Sequence, residues 1–159
     1  MKSIKVLTVC LGNICRSPAA QGILENVSAS RKGFTLTLDS AGTAAYHTGS
    51  APDVRSIKEL KKRSIDISQQ KARQVQQSDF EFFDWILAMD RSNYQNLINM
   101  APVHYHHKVV LFGELPGMSV LGSVKDPYYD GDEMFKVMAD HLVELSTNFL
   151  NFLDQPQNK

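Results

Sequence analysis

The residues best suited to chemistry cluster near the N-terminus, in Cys10-Leu11-Gly12-Asn13-Ile14-Cys15-Arg16-Ser17. Five residues separate Cys10 from Arg16, and the run joins a β-rich segment to a helix-like one. A tight loop in that setting turns successive backbone N–H groups inward as an anion-binding nest. The positive end of the following helix dipole adds to it. Leu11, Gly12, Asn13, Ile14, Cys15, Arg16 and Ser17 are therefore the expected phosphate-binding set. Gly12 and Asn13 tolerate the left-handed backbone such a loop often needs, and Arg16 can grip two phosphate oxygens with its planar fork. Helix N-termini and nearby cations favour an ionised thiol, so Cys10 is the expected nucleophile, attacking phosphorus in line while the loop amides and Arg16 hold the other oxygens. Ser17 can donate to the sulfur as it leaves, when water attacks the phosphocysteine.

The elements that must position this loop follow from the apolar pattern. Ile4 to Val9 reads as a strand. Ser17-Pro18 resembles an N-cap and first helical residue, opening a helix to about Val27. Phe34 to Leu38 alternates as a second strand, and Asp39-Ser40-Ala41-Gly42-Thr43 reads as the loop that ends it. Pro52 to Arg63 is helical in pattern, with the basic cluster Lys61-Lys62-Arg63 at its C-terminus. Trp85 to Met89 is a strand buried on both faces, and Asp90 caps a helix over 91–99. Val109 to Phe112 supplies another strand, followed by a loop containing Gly113, Pro116, Gly117 and Gly122. Met134, Met138, His141, Leu142, Leu145, Phe149, Phe152 and Leu153 share one face of a last helix. Strands alternating with helices imply a mostly parallel sheet covered on both faces. In such sheets ligands bind beyond the carboxyl ends of the strands, where Cys10 to Ser17 falls.

Bulk properties narrow the options. A chain of 159 residues suits one domain spanning 1–159. Lys plus Arg and Asp plus Glu both total 17, so there is no global charge case for nucleic acid or an acidic membrane. The N-terminus is too short and interrupted for a signal peptide, and no stretch approaches the roughly 20 apolar residues of a membrane span. Two cysteines in one short segment, Cys10 and Cys15, are not a secreted disulfide framework. A cytoplasmic location is expected. His104, His106 and His107 have no matching carboxylate or thiolate nearby in sequence and read as solvated side chains, so no metal is expected.

Val9-Cys10-Leu11-Gly12-Asn13-Ile14-Cys15-Arg16-Ser17-Pro18 resembles the signature of the low-molecular-weight protein tyrosine phosphatases. The resemblance extends through Asp39-Ser40-Ala41-Gly42-Thr43, Lys71-Ala72-Arg73-Gln74, Ile86-Leu87-Ala88-Met89-Asp90 and Asp126-Pro127-Tyr128-Tyr129. It implies a three-layer α/β/α fold with a four-stranded twisted parallel sheet, no cofactor, and a cysteinyl-phosphate intermediate. Expelling a phenolate of pKa ~10 is easier with a general acid. Asp126, in the long loop after the last strand, is the best-placed carboxyl group, and the resemblance makes it the acid and later the base. Asp39, Asp84 and Asp90 are competing carboxylates with simpler roles in loops and caps. Tyr46, Tyr128 and Tyr129 can wall a slot for a phenyl ring, and a deep slot favours phosphotyrosine over the shorter phosphoserine. Ser40 is expected to support the loop through Asn13. The expected partners are phosphotyrosine proteins, small aryl phosphates and inorganic phosphate as product, with the enzyme acting as a monomer.

Cys15 lies close enough in sequence to trap an oxidised Cys10 as a disulfide. Thioredoxin-coupled arsenate reductases share a similar loop but need further cysteines, which this chain lacks. Protein-arginine phosphatases tend to carry threonine where Ile14 stands, and a phosphotyrosine-binding module would need neither Cys10 nor Asp126. One departure from the family pattern is Gln70, where many members place a histidine. An amide donates and accepts but carries no charge.

Overall fold

The computed structural model describes residues 2–115 and 122–155; Pro116 and Gly117, expected in the loop after the fourth strand, lie outside them. Successive side chains of a strand face opposite ways, and β1 (Lys2–Cys10) is apolar on both faces. Ile4 and Val6 enter one core while Leu7 and Val9 enter another. The first core is closed by α1 (Arg16–Ser28), α2 (Val54–Lys61) and α5 (Asp132–Leu153), through Ile23, Leu24, Leu60, Leu142 and Phe149. The second is closed by α3 (Gln77–Phe82) and α4 (Arg91–Met100), through Phe80 and Leu97. The result is the three-layer α/β/α arrangement.

The remaining strands are β2 (Phe34–Gly42), β3 (Trp85–Ala88) and β4 (Val109–Leu111), with a 3-10 helix at Val103–Lys108 before β4. All four strands are parallel, in the order β2-β1-β3-β4. The chain leaves β1 for β2 on one side and later resumes with β3 on the other. The winding therefore reverses at β1, which opens a crevice at its carboxyl end. Cys10 is the last residue of that strand.

Three expectations are corrected. Asp39 to Gly42 form no loop; they continue β2, pairing Asp39 with Leu7, Ser40 with Thr8, Ala41 with Val9 and Gly42 with Cys10. Turn-forming residue types lose here to a long parallel ladder. Helix α1 begins at Arg16 with Cys15 at the cap position and no side-chain cap, because the Ser17 hydroxyl is engaged elsewhere. Helix α2 starts after Asp53, whose carboxylate accepts from Arg55 N, and ends at Lys61 rather than Arg63. Short α3 and the 3-10 helix have too few residues to show a period. Asp90 does cap α4, accepting from Asn93 N. No described helix is long and apolar enough to cross a membrane.

Candidate active site

The loop after β1 is held by backbone and by one buried amide. Thr43 N donates to Cys10 O and Ala44 N to Leu11 O, both at 2.9 Å. A Cβ on Gly42 would lie 2.6 Å from Leu11 O and 3.1 Å from Asn13 N, so the loop main chain can cross this strand only over a glycine. Asn13 takes φ 59°, the left-handed region expected of it; Gly12 does not, and its missing side chain instead makes room for the His47 ring, 3.0 Å from where a Cβ would be. The Asn13 side chain donates to Ser17 Oγ (2.8 Å) and Ser40 Oγ (2.9 Å) and accepts from Arg73 N (3.0 Å). It lies behind the loop, 2% exposed, and does not face the pocket.

Ser17 Oγ lies 3.0 Å from Cys10 Sγ. Asn13 already donates to that hydroxyl, so the single Ser17 proton is free to point at the sulfur; its other acceptor, Ala41 O, is at 3.4 Å. This contact explains why Ser17 does not cap α1.

Arg16 is 3% exposed. One of its terminal nitrogens, Nη1, donates to Asp90 Oδ2 at 2.5 Å and to Val124 O at 3.2 Å, while Nη2 is 3.5 Å from Asp126 Oδ2. Its Nε is buried and finds no acceptor among the described residues. Burial opposes the Arg16 charge, but Cys10, Asp90 and Asp126 outweigh it and raise its pKa above the ordinary value. Asp90 thus has a second role that the cap signal alone does not reveal.

Asp126 follows Val124, whose N–H donates to Met89 O at 2.8 Å and so ties the loop to the end of β3. The Asp126 carboxylate accepts from Tyr128 N at 3.1 Å and is 41% exposed. Cys10, Leu11, Gly12, Ile14, Cys15 and Arg16 line a cavity of about 130 Å³ together with Asp126, Tyr46, Tyr128, Tyr129 and His47. That is well below the ~300–1,000 Å³ of sites for drug-sized ligands, so it suits one small anionic group and its first ring. Tyr46 and Tyr129 stand at the rim, 75% and 94% exposed. Tyr128 is turned inward, its ring 6.2 Å from that of His47. Of the competing carboxylates, only Asp90 reaches the site, bound to Arg16 behind the pocket; Asp39 pairs with Arg73 at 3.1 Å, and Asp84 accepts from Lys5 N at 2.9 Å near the opposite end of the sheet.

Both cysteines are free and buried. Burial, then Asp53 and Cys10, push the Cys15 thiol far up, so it is a neutral wall of the pocket. Gln70 donates to Pro18 O at 3.2 Å, and its buried Oε1 accepts from no donor among the described residues. Among the described residues no group of three or more His, Cys, Asp or Glu is arranged to hold a metal ion; His106 Nε2 lies 3.0 Å from Ala101 O. His47, Asp53 and Arg55 reach the site region without any motif to announce them. A buried cation, a sulfur with a hydroxyl donor and a loop carboxylate around one small cavity suit nucleophilic attack on a tetrahedral anion with proton transfer to the group that departs.

Comparison with known proteins places the chain. The family model for low molecular weight phosphotyrosine protein phosphatase matches residues 5–159. A Schizosaccharomyces pombe low molecular weight phosphotyrosine protein phosphatase is 44% identical over 152 residues, 94% of this chain and 96% of that protein. The crystal structure of a protein tyrosine phosphatase from Entamoeba histolytica superposes with TM-score 0.86 and 35% identity, over 97% of this chain and 99% of that one. Vibrio vulnificus Wzb, solved in complex with benzylphosphonate, gives TM-score 0.83 at 28% identity, over 94% and 99%.

Proposed function

The chain belongs to the low molecular weight phosphotyrosine protein phosphatase family and is a hydrolase of that class; from this premise we propose that it hydrolyses phosphotyrosine, in proteins and in small aryl phosphates, through a cysteinyl-phosphate intermediate. The Cys10 thiolate attacks phosphorus as the P–O bond to the ring breaks. Asp126 gives its proton to the departing phenolate oxygen. Asp126, now a carboxylate, then takes a proton from water, the water oxygen attacks phosphorus, and the S–P bond breaks to release inorganic phosphate. Ser17 donates to the departing sulfur, and Arg16 with the amides of Leu11 to Ser17 holds the charge on the remaining oxygens.

The observation that carries this reading is the meeting of Cys10, Arg16 and Asp126 at one small cavity, with Arg16 Nη2 3.5 Å from Asp126 Oδ2. The benzylphosphonate bound to the Vibrio vulnificus relative, an aromatic ring on a phosphate-like head, supports an aryl substrate between Tyr46, Tyr128 and Tyr129. Residues 1–159 act as one domain, a cytoplasmic monomer needing no cofactor. Oxidation of Cys10 is reversed through Cys15.

Rates on phosphotyrosine, phosphoserine and phosphoarginine peptides with EDTA present test the reading, together with Cys10→Ser and Asp126→Ala. Phosphotyrosine should be turned over fastest and EDTA should change nothing. Cys10→Ser should abolish turnover yet still bind phosphate, and measurable turnover by that variant sinks the proposal.

A further inference from the structure

We propose that Arg55 is a positioning residue for this reaction, the link that holds the Asp126 turn against the Cys10 loop. The inference rests on the reading of Asp126 as proton donor. It begins at Ile14 in the phosphate loop, whose carbonyl accepts from Asp53 N at 2.8 Å. The Asp53 carboxylate accepts three bonds from Arg55: its backbone N and its Nη2 at 2.9 Å, and its Nε at 3.0 Å. The same guanidinium has donors left over. Nη2 also donates to Tyr128 O at 2.8 Å, and Nη1 to Asp130 O at 3.0 Å.

Those carbonyls lie just past Asp126 in the chain. On the other side the turn is fastened by Val124, whose N–H donates to Met89 O and whose carbonyl accepts from Arg16. Asp126 therefore sits between two anchors, two residues after one and two before the next. Its own side chain is 41% exposed and, among the described residues, meets only Tyr128 N, at 3.1 Å, and Arg16 Nη2, at 3.5 Å, both of which depend on where the two anchors hold the turn. The Arg55 fork spans a carboxylate and two carbonyls at once because its donors diverge in one plane. Its carbon Cζ lies 4.5 Å from the centre of the Phe135 ring and 5.8 Å from that of Tyr128, so the fork is held by stacking as well. A lysine at this position would offer three donors from one atom and could not bridge all three acceptors.

A group that only stabilised the fold would slow every substrate alike. One that places the proton donor slows those substrates whose leaving group needs the proton. The test compares kcat on phenyl phosphate, whose phenol has pKa ~10, with kcat on an aryl phosphate bearing a strongly acidic phenol. Arg55→Met keeps a stem to pack on Phe135 and Tyr128 but removes every side-chain donor. It should lose about tenfold or more on phenyl phosphate and less than about threefold on the activated ester, since misplacing a catalytic group by ~1 Å can cost ~100-fold. Inhibition by inorganic phosphate should stay within about twofold, because the phosphate loop keeps its own bonds. In an Asp126→Ala background the same change should cost nothing further on phenyl phosphate. If Arg55→Met does not fold, Arg55→Lys carries the same comparison, with the same split expected.

Equal losses on the two esters, or a full Arg55 penalty on top of Asp126→Ala, overturn the inference. Asp126→Ala measured alone separates the two failures. If it harms both esters equally, the proton-donor reading is wrong; if it discriminates and the Arg55 variants do not, only the positioning role is wrong.

Discussion

The Arg16 guanidinium and the Asp90 carboxylate meet at 2.5 Å, although Arg16 belongs to the first turn of α1 and Asp90 to the start of α4. The cation that faces the pocket is thus steadied from behind by the residue that begins another helix. Charge-assisted hydrogen bonds of this kind contribute roughly 1.5–3 kcal/mol, and each ~1.4 kcal/mol is tenfold in affinity. Asp90→Asn keeps an acceptor for Asn93 N, so α4 should survive. Its kcat/KM on phosphotyrosine should fall about tenfold or more, with weaker inhibition by inorganic phosphate. Unchanged phosphate inhibition would show that Arg16 needs no such support.

Gly42, paired with Cys10 in the sheet, offers a test of loop packing that removes no side chain of the site. An alanine methyl would lie 2.6 Å from Leu11 O and 3.0 Å from Ala44 O, both main-chain atoms that cannot swing aside. Overpacking of this sort costs about 1–3 kcal/mol. Gly42→Ala should melt earlier and bind inorganic phosphate more weakly, because relief comes by displacing the loop amides. A variant with wild-type phosphate inhibition would mean that the loop shifts without losing its nest.

Acid should weaken the Asp53–Arg55 link in a defined window. Burial alone would raise the Asp53 pKa, but the hydrogen bonds and charge of Arg55 outweigh it and hold the carboxyl below its usual range. A group depressed in the folded state stabilises above its unfolded pKa, ~3.9 for Asp. That contribution disappears as pH falls through the lower folded value. Urea unfolding of wild type and Asp53→Asn should therefore differ by a constant amount from neutral pH to about pH 5, and the gap should shrink below about pH 4. A gap that stays the same into strong acid would remove Asp53 as its source.

The cysteines should respond differently to reagents. Cys15 is held protonated by burial and by the negative groups around it, so haloacetamide at neutral pH should label Cys10 and spare Cys15. With peroxide, the Cys10 thiol should be oxidised to a sulfenic acid as peroxide is reduced to water. The Cys15 thiol should then displace that hydroxyl as water and form the disulfide, which added thiol would reduce. Wild type should recover most of its activity on thiol treatment, and Cys15→Ser should recover clearly less. Equal recovery would show that Cys15 only packs beneath the loop.

Much of the site was legible because its parts are adjacent in the chain. The run from Cys10 to Ser17 carries its residue types and its strand-to-helix setting in one short stretch, and apolar runs marked β1, β3, β4 and α5. The C-terminal half of β2 was not legible. Asp39, Ser40 and Gly42 are turn formers by local preference, and only pairing with Leu7 to Cys10 makes them a strand. Ser17 misled for a related reason: its hydroxyl serves Cys10 and Asn13 instead of a helix end. The Asp90 cap could be read from the next few residues, whereas its ion pair spans 74 positions. Asp53 and Arg55 form a local cap at the start of α2, but nothing local ties them or His47 to the site, and the fold alone brings them there.

Cys10 is still a rung of the sheet, aligned with Gly42 and held through its carbonyl by Thr43. In the proposed reaction, recoil on the sulfur as a bond forms would therefore be taken up by four strands and the two cores clamped on them, not by a pliant segment. Asp126, the proposed proton donor, enjoys no such mounting; it rides on a turn fastened at its ends. On the proposed mechanism, insertions or rewiring in that turn would retune which leaving groups are served while the Cys10 sulfur stays where the sheet puts it.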